Sequence, residues 1–301
     1  MAYDAILRNL DGSIWPILPS KMDAILAFLH ARRDGLLVDA ETVERLSISN
    51  RNNAASSIQR SVAVLPIYGT IAQRAGMMDE ASGGTSTERI GREFDALLRD
   101  EAVGGIILDV DSPGGNYAGT PELADKIFAA RGNGKPIWAV ANSMAASAAY
   151  WIASAAEKLS ITPSGEVGSI GVLAVHYDFS AANEMQGLKP TYVTYGAYKA
   201  EFTPDAALSD EAQAELQRRV NEAGETFIKA VARNRNEQER IVRSEYGQGR
   251  MFSAREAVAR GMADRVETLQ EAVERMATGR AAASRRKAEI ARQQLELERY
   301  R

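Results

Sequence analysis

The chain has 301 residues, 45% apolar and 25% charged, a composition that supports a sizeable core in one large domain or two small ones. It contains no cysteine, which excludes disulfides, thiolate nucleophiles and cysteine-ligated zinc or iron–sulfur centres. The net charge of −4 gives no reason to expect nucleic acid as the main partner, and His30 and His176 lack a His-Glu-x-x-His spacing, so neither a metal nor a cofactor is expected.

Met1 to Ser20 carries Asp4, Arg8 and Asp11 where a signal peptide needs an apolar core, and no apolar run reaches about 18 residues, so the expected product is soluble and cytoplasmic. Ile25 to Leu46 reads as one or two short helices, and Ser47 to Arg60 as a polar, turn-rich linker. Residues 1–60 therefore form a helical leader and linker, and a body is expected over 61–268. Ser61 to Tyr68 is a β-branched strand ending at Gly69; after Gly83-Gly84, Thr85-x-x-Glu88 reads as a capping box. Ile90, Phe94, Leu97 and Leu98 recur at helical spacing, so the helix that follows lays one face on a sheet.

Gly104 to Val110 is a short apolar run of the kind buried on both faces, leading into the turn Asp111-Ser112-Pro113-Gly114-Gly115. Thr120-Pro121 opens a helix through Phe128, Pro136 to Ala141 is the next strand, and Ala145 to Ala156 the helix after it. This alternation predicts an α/β fold with a parallel core sheet and chemistry in the loops at the strand C-termini. Glu166-Val167-Gly168-Ser169-Ile170-Gly171-Val172 reads as a strand whose glycines let another backbone approach, and a peptide substrate fits there, against Gly168, Ile170 and Gly171. Pro190 to Thr194 reads as a strand leading to Lys199, Ser209 to Arg233 as a long helix, and Ser253-x-x-Glu256 as the cap of a helix ending at Gly261. Residues 269–301 form a helix-prone, Arg-rich tail: a solvated helix on the plain reading, a docking or packaging segment gripping a scaffold, a shell or nucleic acid on the functional one.

Three features suggest acyl transfer. Ser147, in Asn142-Ser143-Met144-Ala145-Ala146-Ser147-Ala148-Ala149-Tyr150, falls in the first turn of a helix after a strand, where free N–H groups, Ala148's among them, face an incoming anion. The Gly114-Gly115 turn offers further N–H donors, completing an oxyanion hole. A lone serine among alanines more often serves packing, and a lone Pro-Gly-Gly is more often only a turn; their positions after neighbouring strands raise the functional reading. For the base, His176 with Asp178 is the weaker candidate, because residues two apart on an extended strand do not readily orient one imidazole. Lys199 is the stronger, provided burial disfavours its charged form.

These segments resemble the SppA and phage protein C group of serine peptidases, peptidase family S49, within the ClpP/crotonase superfamily. The resemblance runs from about Val62 to Val266 and is carried by Asp109 to Gly115, Ala145 to Tyr150, Gly168 to Val172, Gly196-x-x-Lys199 and Ala257-x-x-x-Gly261-Met262-x-Asp264. It implies a ClpP/crotonase-like spiral of β-β-α units and a Ser-Lys dyad, with Ser147 as nucleophile, Lys199 as general base and Ser169 helping to hold the lysine. The Gly114-Gly115 turn matches the family's oxyanion loop. Many members have glycines where Ala148 and Ala149 stand, an exchange that keeps the backbone N–H. Trp15-Pro16-Ile17-Leu18-Pro19 is similar to the leader of prophage-encoded homologues, which implies a head maturation protease acting on scaffold, portal or capsid protein, or on itself, inside the procapsid. The family also implies a ring-like homo-oligomer with sites closed by neighbouring subunits. The competing readings are a non-catalytic capsid scaffold component on the same fold, and a crotonase-type acyl-CoA enzyme, which gives no reason for Lys199.

Overall fold

The computed structural model describes residues 13–33, 57–59, 61–74 and 84–279. In chain order the strands are β1 (Ile14–Trp15), β2 (Ser57–Gln59), β3 (Val62–Tyr68), β4 (Ile71–Ala72), β5 (Thr85–Ser86), β6 (Gly105–Ser112), β7 (Ile137–Ala146), β8 (Lys158–Ile161), β9 (Glu166–Gly168), β10 (Leu173–Ala174), β11 (Met251–Ser253) and β12 (Arg265–Val266). The helices are α1 (Pro19–Arg33), α2 (Thr87–Arg99), α3 (Thr120–Ala129), α4 (Ala148–Ser154), α5 (Ser180–Met185), α6 (Asp210–Arg235), α7 (Glu239–Glu245), α8 (Ala254–Ala259) and α9 over 269–279. Of the leader and linker, residues 1–12, 34–56 and 60 lie outside the described residues, as do 280–301 of the tail.

Strands β3, β6 and β7 run parallel at the centre of the main sheet, as the alternation of apolar runs and amphipathic helices predicts. Both faces are covered. Ala63, Leu65, Ile67, Ile106, Leu108 and Val110 point to the face packed by Ile90 and Phe94 of α2 and Leu123 and Ile127 of α3. The alternate residues Val62, Val64 and Ile107 meet Ala272, Val273 and Met276 of α9 on the other face. This two-residue alternation explains why the strands read as continuous apolar runs.

The fork in β7 positions the site. Trp138 to Ala141 pair in parallel with Lys158 to Ile161, whereas Met144 to Ala146 pair in parallel with Glu166 to Gly168. The strand expected to stop at Ala141 therefore continues to Ala146, because a second partner, β9, pairs with its last three residues, Met144 to Ala146. Helix α4 begins correspondingly late, with Ser147 as the residue before its first turn rather than within it. Trp151 of α4 stacks on Phe227 of α6, with ring centroids 4.5 Å apart. Arg131 donates to the Ser154, Ala155 and Ala156 carbonyls at 2.6–2.9 Å, closing the C-terminal end of α4. Burial, with Arg235 adding to it, pushes the Arg131 guanidinium down to about 10.

Two further expectations shift. Ser86, not Thr85, caps α2: its hydroxyl accepts the Arg89 N–H, while the Thr85 hydroxyl donates to the Tyr68 carbonyl. Pro190 to Thr194 is exposed and forms no strand, since no strand of the described chain lies beside it to complete a ladder. The Ser253 to Glu256 capping box is present as read.

Asp264, at the end of the Ala257 to Asp264 signature, ties the C-terminal part of the body to the sheet. Its carboxylate accepts the Leu159 N–H at 2.7 Å and an Arg235 N–H at 3.0 Å. Burial alone would raise this carboxyl, but the bonds and charge of Arg235 hold it below the usual carboxylate range. A carboxyl with a depressed folded pKa stabilises above its unfolded value, about 3.9, and that contribution is lost as pH falls through the lower folded value. Asp264→Asn is expected to cost about 2 kcal/mol near neutrality, because the Arg235 side chain is only 7% exposed and loses its counter-charge. Urea titrations should show this difference at pH 7 and show it shrinking at pH 3; an equal difference at both would contradict the assignment.

Candidate active site

Strands β6 and β7 end side by side, and their C-termini supply the two halves of the site. A register shift between Val110 and Ser112 turns β6 into the Pro113-Gly114-Gly115 loop. The buried Ser112 hydroxyl donates to the Gly69 carbonyl at 2.6 Å and accepts the Gly114 N–H at 3.2 Å. Strand β4 fixes the far side, with Ile71 N–H donating to Gly114 O at 2.9 Å and Asn116 N–H to Ile71 O at 2.7 Å. Both glycines are sterically required. Gly114 has φ +97°, and a Cβ on Gly115 would lie 1.9 Å from the Ile71 carbonyl oxygen.

Ser147 joins β7 to α4 with φ 56° and ψ −118°, a conformation that costs about 1–3 kcal/mol for a residue with a side chain. The strain is held from both directions. Its N–H donates to Gly168 O at 2.8 Å, and its carbonyl accepts the Trp151 N–H at 2.9 Å as α4 starts. The side chain is fully buried, and its hydroxyl donates to Gly171 O at 3.3 Å.

The deciding geometry is the convergence of two N–H groups. Gly115 N–H and Ala148 N–H, one from each strand end, donate to a single oxygen, the Pro16 carbonyl, at 2.9 and 3.1 Å. Preorganised donors aimed at one carbonyl oxygen, with a serine on the adjoining residue, are what a tetrahedral oxyanion requires. Of the three expected donors, Gly115 and Ala148 converge; Gly114 contributes the turn, its own N–H being committed to Ser112.

Gly168 and Ser169 continue from β9 with φ +138° and +53°. Ser169 is buried, its N–H donating to Arg250 O at 2.8 Å, and a Cβ on Gly168 would meet that same oxygen at 2.4 Å. Ile170 is buried in the main core, and Gly171 supplies the carbonyl that accepts from Ser147. The strand expected over Glu166 to Val172 starts where expected but is shorter: β9 ends at Gly168 and pairing resumes at Leu173.

The candidate base stands apart. Lys199 is exposed, in a turn whose Lys199 N–H donates to Gly196 O at 3.2 Å, and among the described residues no hydrogen bond links it to Ser147 or Ser169. Tyr192, Val193, Tyr195 and Tyr198 around it are exposed apolar groups. His176 Nε2 bonds the Ala206 carbonyl at 3.0 Å on an exposed loop. No group of three His, Asp or Glu among the described residues is placed to hold a metal. No described helix is long and apolar enough to cross a membrane.

What sequence reasoning missed is the occupant of the cleft. Ile14 to Leu18 lies between the Gly114 turn and β10, a non-local placement that no local pattern encodes. The available signal was an apolar pentapeptide just ahead of a helix-prone segment, with prolines at 16 and 19.

Comparison with known proteins places the chain in a family. The family model described as "Peptidase family S49" matches residues 129–283, more than half of the chain. The chain belongs to peptidase family S49. This family member accordingly has the ClpP/crotonase-like fold, the mostly parallel sheet being its core. It is 32% identical over 223 residues to the capsid assembly protease C of Escherichia phage lambda, covering 74% of this chain and 50% of that protein. It is 32% identical over 239 residues to the head-tail preconnector protein GP5 of Enterobacteria phage P21, covering 79% and 47%. It is 29% identical over 217 residues to protease 4 of Salmonella typhi, covering 72% and 34%. The chain thus spans about half the length of the phage relatives it matches.

Proposed function

We propose that this S49 peptidase is a serine endopeptidase with a Ser-Lys dyad, acting in phage head maturation on scaffold, portal or capsid protein. The observation that carries the reading is the pair of N–H groups, from Gly115 and Ala148, meeting at one carbonyl oxygen beside a strained, buried Ser147. Ser147 attacks the scissile carbonyl, Gly115 and Ala148 hold the oxyanion, and water resolves the acyl-enzyme. The phage setting rests on likeness to two phage proteins, one of them named as a capsid assembly protease.

Lys199 is the general base, and a neighbouring copy delivers it. A lysine acts as a base only where burial disfavours its charged form, and Lys199 in the single chain is exposed within a stretch of exposed Tyr192, Val193 and Tyr195. Covering that apolar stretch with a second subunit would bury the lysine and bring it to a partner's Ser147, in keeping with a ring-like homo-oligomer. Ser147→Ala and Lys199→Ala, each inactive alone on an unfolded polypeptide, should regain about a quarter of wild-type hydrolysis when refolded together in equal amounts, the share of sites pairing an intact serine with an intact lysine. An inactive mixture that nonetheless assembles would count against delivery by a neighbour. An active Lys199→Ala alone would remove Lys199 from the mechanism.

A further inference from the structure

The segment Ile14 to Leu18 lies in the cleft as a substrate would. On one side, Ile14 and Trp15 pair antiparallel with Ala174 and Leu173 of β10. On the other, Ile17 bridges antiparallel to Gly114, Leu18 N–H donates to Pro113 O at 3.0 Å, and Tyr117 N–H donates to Ile14 O at 3.2 Å. Strand addition of this kind fixes a peptide's register through its backbone. Here the register puts the Pro16 carbonyl oxygen, and no other, between the Gly115 and Ala148 donors. The nucleophile adjoins it: a Cβ placed on Gly114 would lie 2.4 Å from Pro16 O and 3.0 Å from Ser147 Cβ. The side chains hold the register as well. Trp15 and Ile17, 4% and 3% exposed, are anchored among Met22, Ile25 and Leu29 of α1 and against Leu173.

We propose that the Pro16–Ile17 peptide bond is a self-cleavage site of this protein. The inference rests on the serine endopeptidase reading and names one substrate of that site, the chain's own N-terminal segment. Ser147 Oγ bonds to the Pro16 carbonyl carbon, its proton passing to the base, and the oxyanion forms between Gly115 and Ala148. The Pro16–Ile17 C–N bond then breaks, and the base returns the proton to the departing Ile17 amine. Water cleaves the Pro16 ester, leaving a Pro16 carboxylate and restoring the Ser147 hydroxyl. The products are a peptide ending at Pro16 and a body beginning at Ile17. Until the segment is cut and leaves, any other substrate must compete with it for the same two donors, so the cut also opens the site.

The test is a time course of the purified full chain at mildly alkaline pH, alongside Ser147→Ala, read by intact mass and N-terminal sequencing, with an unfolded reporter polypeptide added to parallel samples. The expected result is accumulation of a species beginning at Ile17 in the wild type and its absence in Ser147→Ala of unchanged melting temperature. A wild type that cuts the reporter while Pro16–Ile17 stays whole, or that cuts itself only elsewhere, overturns the self-cleavage site and leaves the endopeptidase reading standing. A wild type that cuts neither overturns both.

Discussion

Ser147→Ala should lower hydrolysis of an unfolded polypeptide by about 10⁵-fold or more, the scale on which serine peptidases lose activity when the nucleophile goes. The fold should be untouched. The hydroxyl makes one long bond, 3.3 Å to Gly171 O, and alanine keeps the Cβ that the packing around residue 147 accommodates. The φ of 56° is as unfavourable for alanine as for serine, so no strain is added or relieved. Melting temperatures of the two proteins should therefore agree within a few degrees while their activities differ by orders of magnitude. A variant retaining a tenth of the activity would move the nucleophile elsewhere.

Gly115→Ala should be the most damaging change that leaves every reactive side chain in place. The new methyl would sit 1.9 Å from the Ile71 carbonyl oxygen and 2.5 Å from the Ile71 nitrogen, both backbone atoms that cannot turn aside. Strand β4 must shift, and with it the bonds from Ile71 N–H to Gly114 O and from Asn116 N–H to Ile71 O that hold the turn. Displacing the Gly115 N–H removes one of two oxyanion donors, worth about 10²- to 10³-fold in kcat. The loss should fall on kcat more than on KM, since the donor acts chiefly on charge that develops in the transition state. A Gly115→Ala protein with wild-type kcat and wild-type melting temperature would mean that this turn is not part of the site.

Much of this architecture was legible because burial leaves a periodic trace. Strands β3 and β6 read as unbroken apolar runs since both faces are covered, and Ile90, Phe94 and Leu97 mark the inward face of α2. The glycine pair was legible because only glycine allows the turn to approach β4 so closely. Misreadings arose where the deciding contact is distant in sequence. Asn142 and Ser143 look like the end of a strand, and only pairing with β9 shows that β7 continues past them. Which glycine N–H of the turn is already bonded depends on where Ser112 places its hydroxyl, which accepts from Gly114 and leaves Gly115 to meet the Pro16 carbonyl. Pro190 to Thr194 carries strand-forming residues, yet a strand needs a neighbour and the described residues supply none there. Lys199 is likewise exposed, and the role proposed for it calls for a covering surface beyond the described residues.

Ser147 is proposed as an activated nucleophile facing a formed oxyanion hole. The most direct measurement is peptide mapping by mass spectrometry after treatment with a fluorophosphonate, whose phosphoryl oxygen occupies the position the oxyanion would take. The expected result is a single adduct on the peptide carrying Ser147, absent from Ser147→Ala and formed at least about 100-fold more slowly in Lys199→Ala. An adduct on another serine, or none on an assembled wild-type protein, would contradict it.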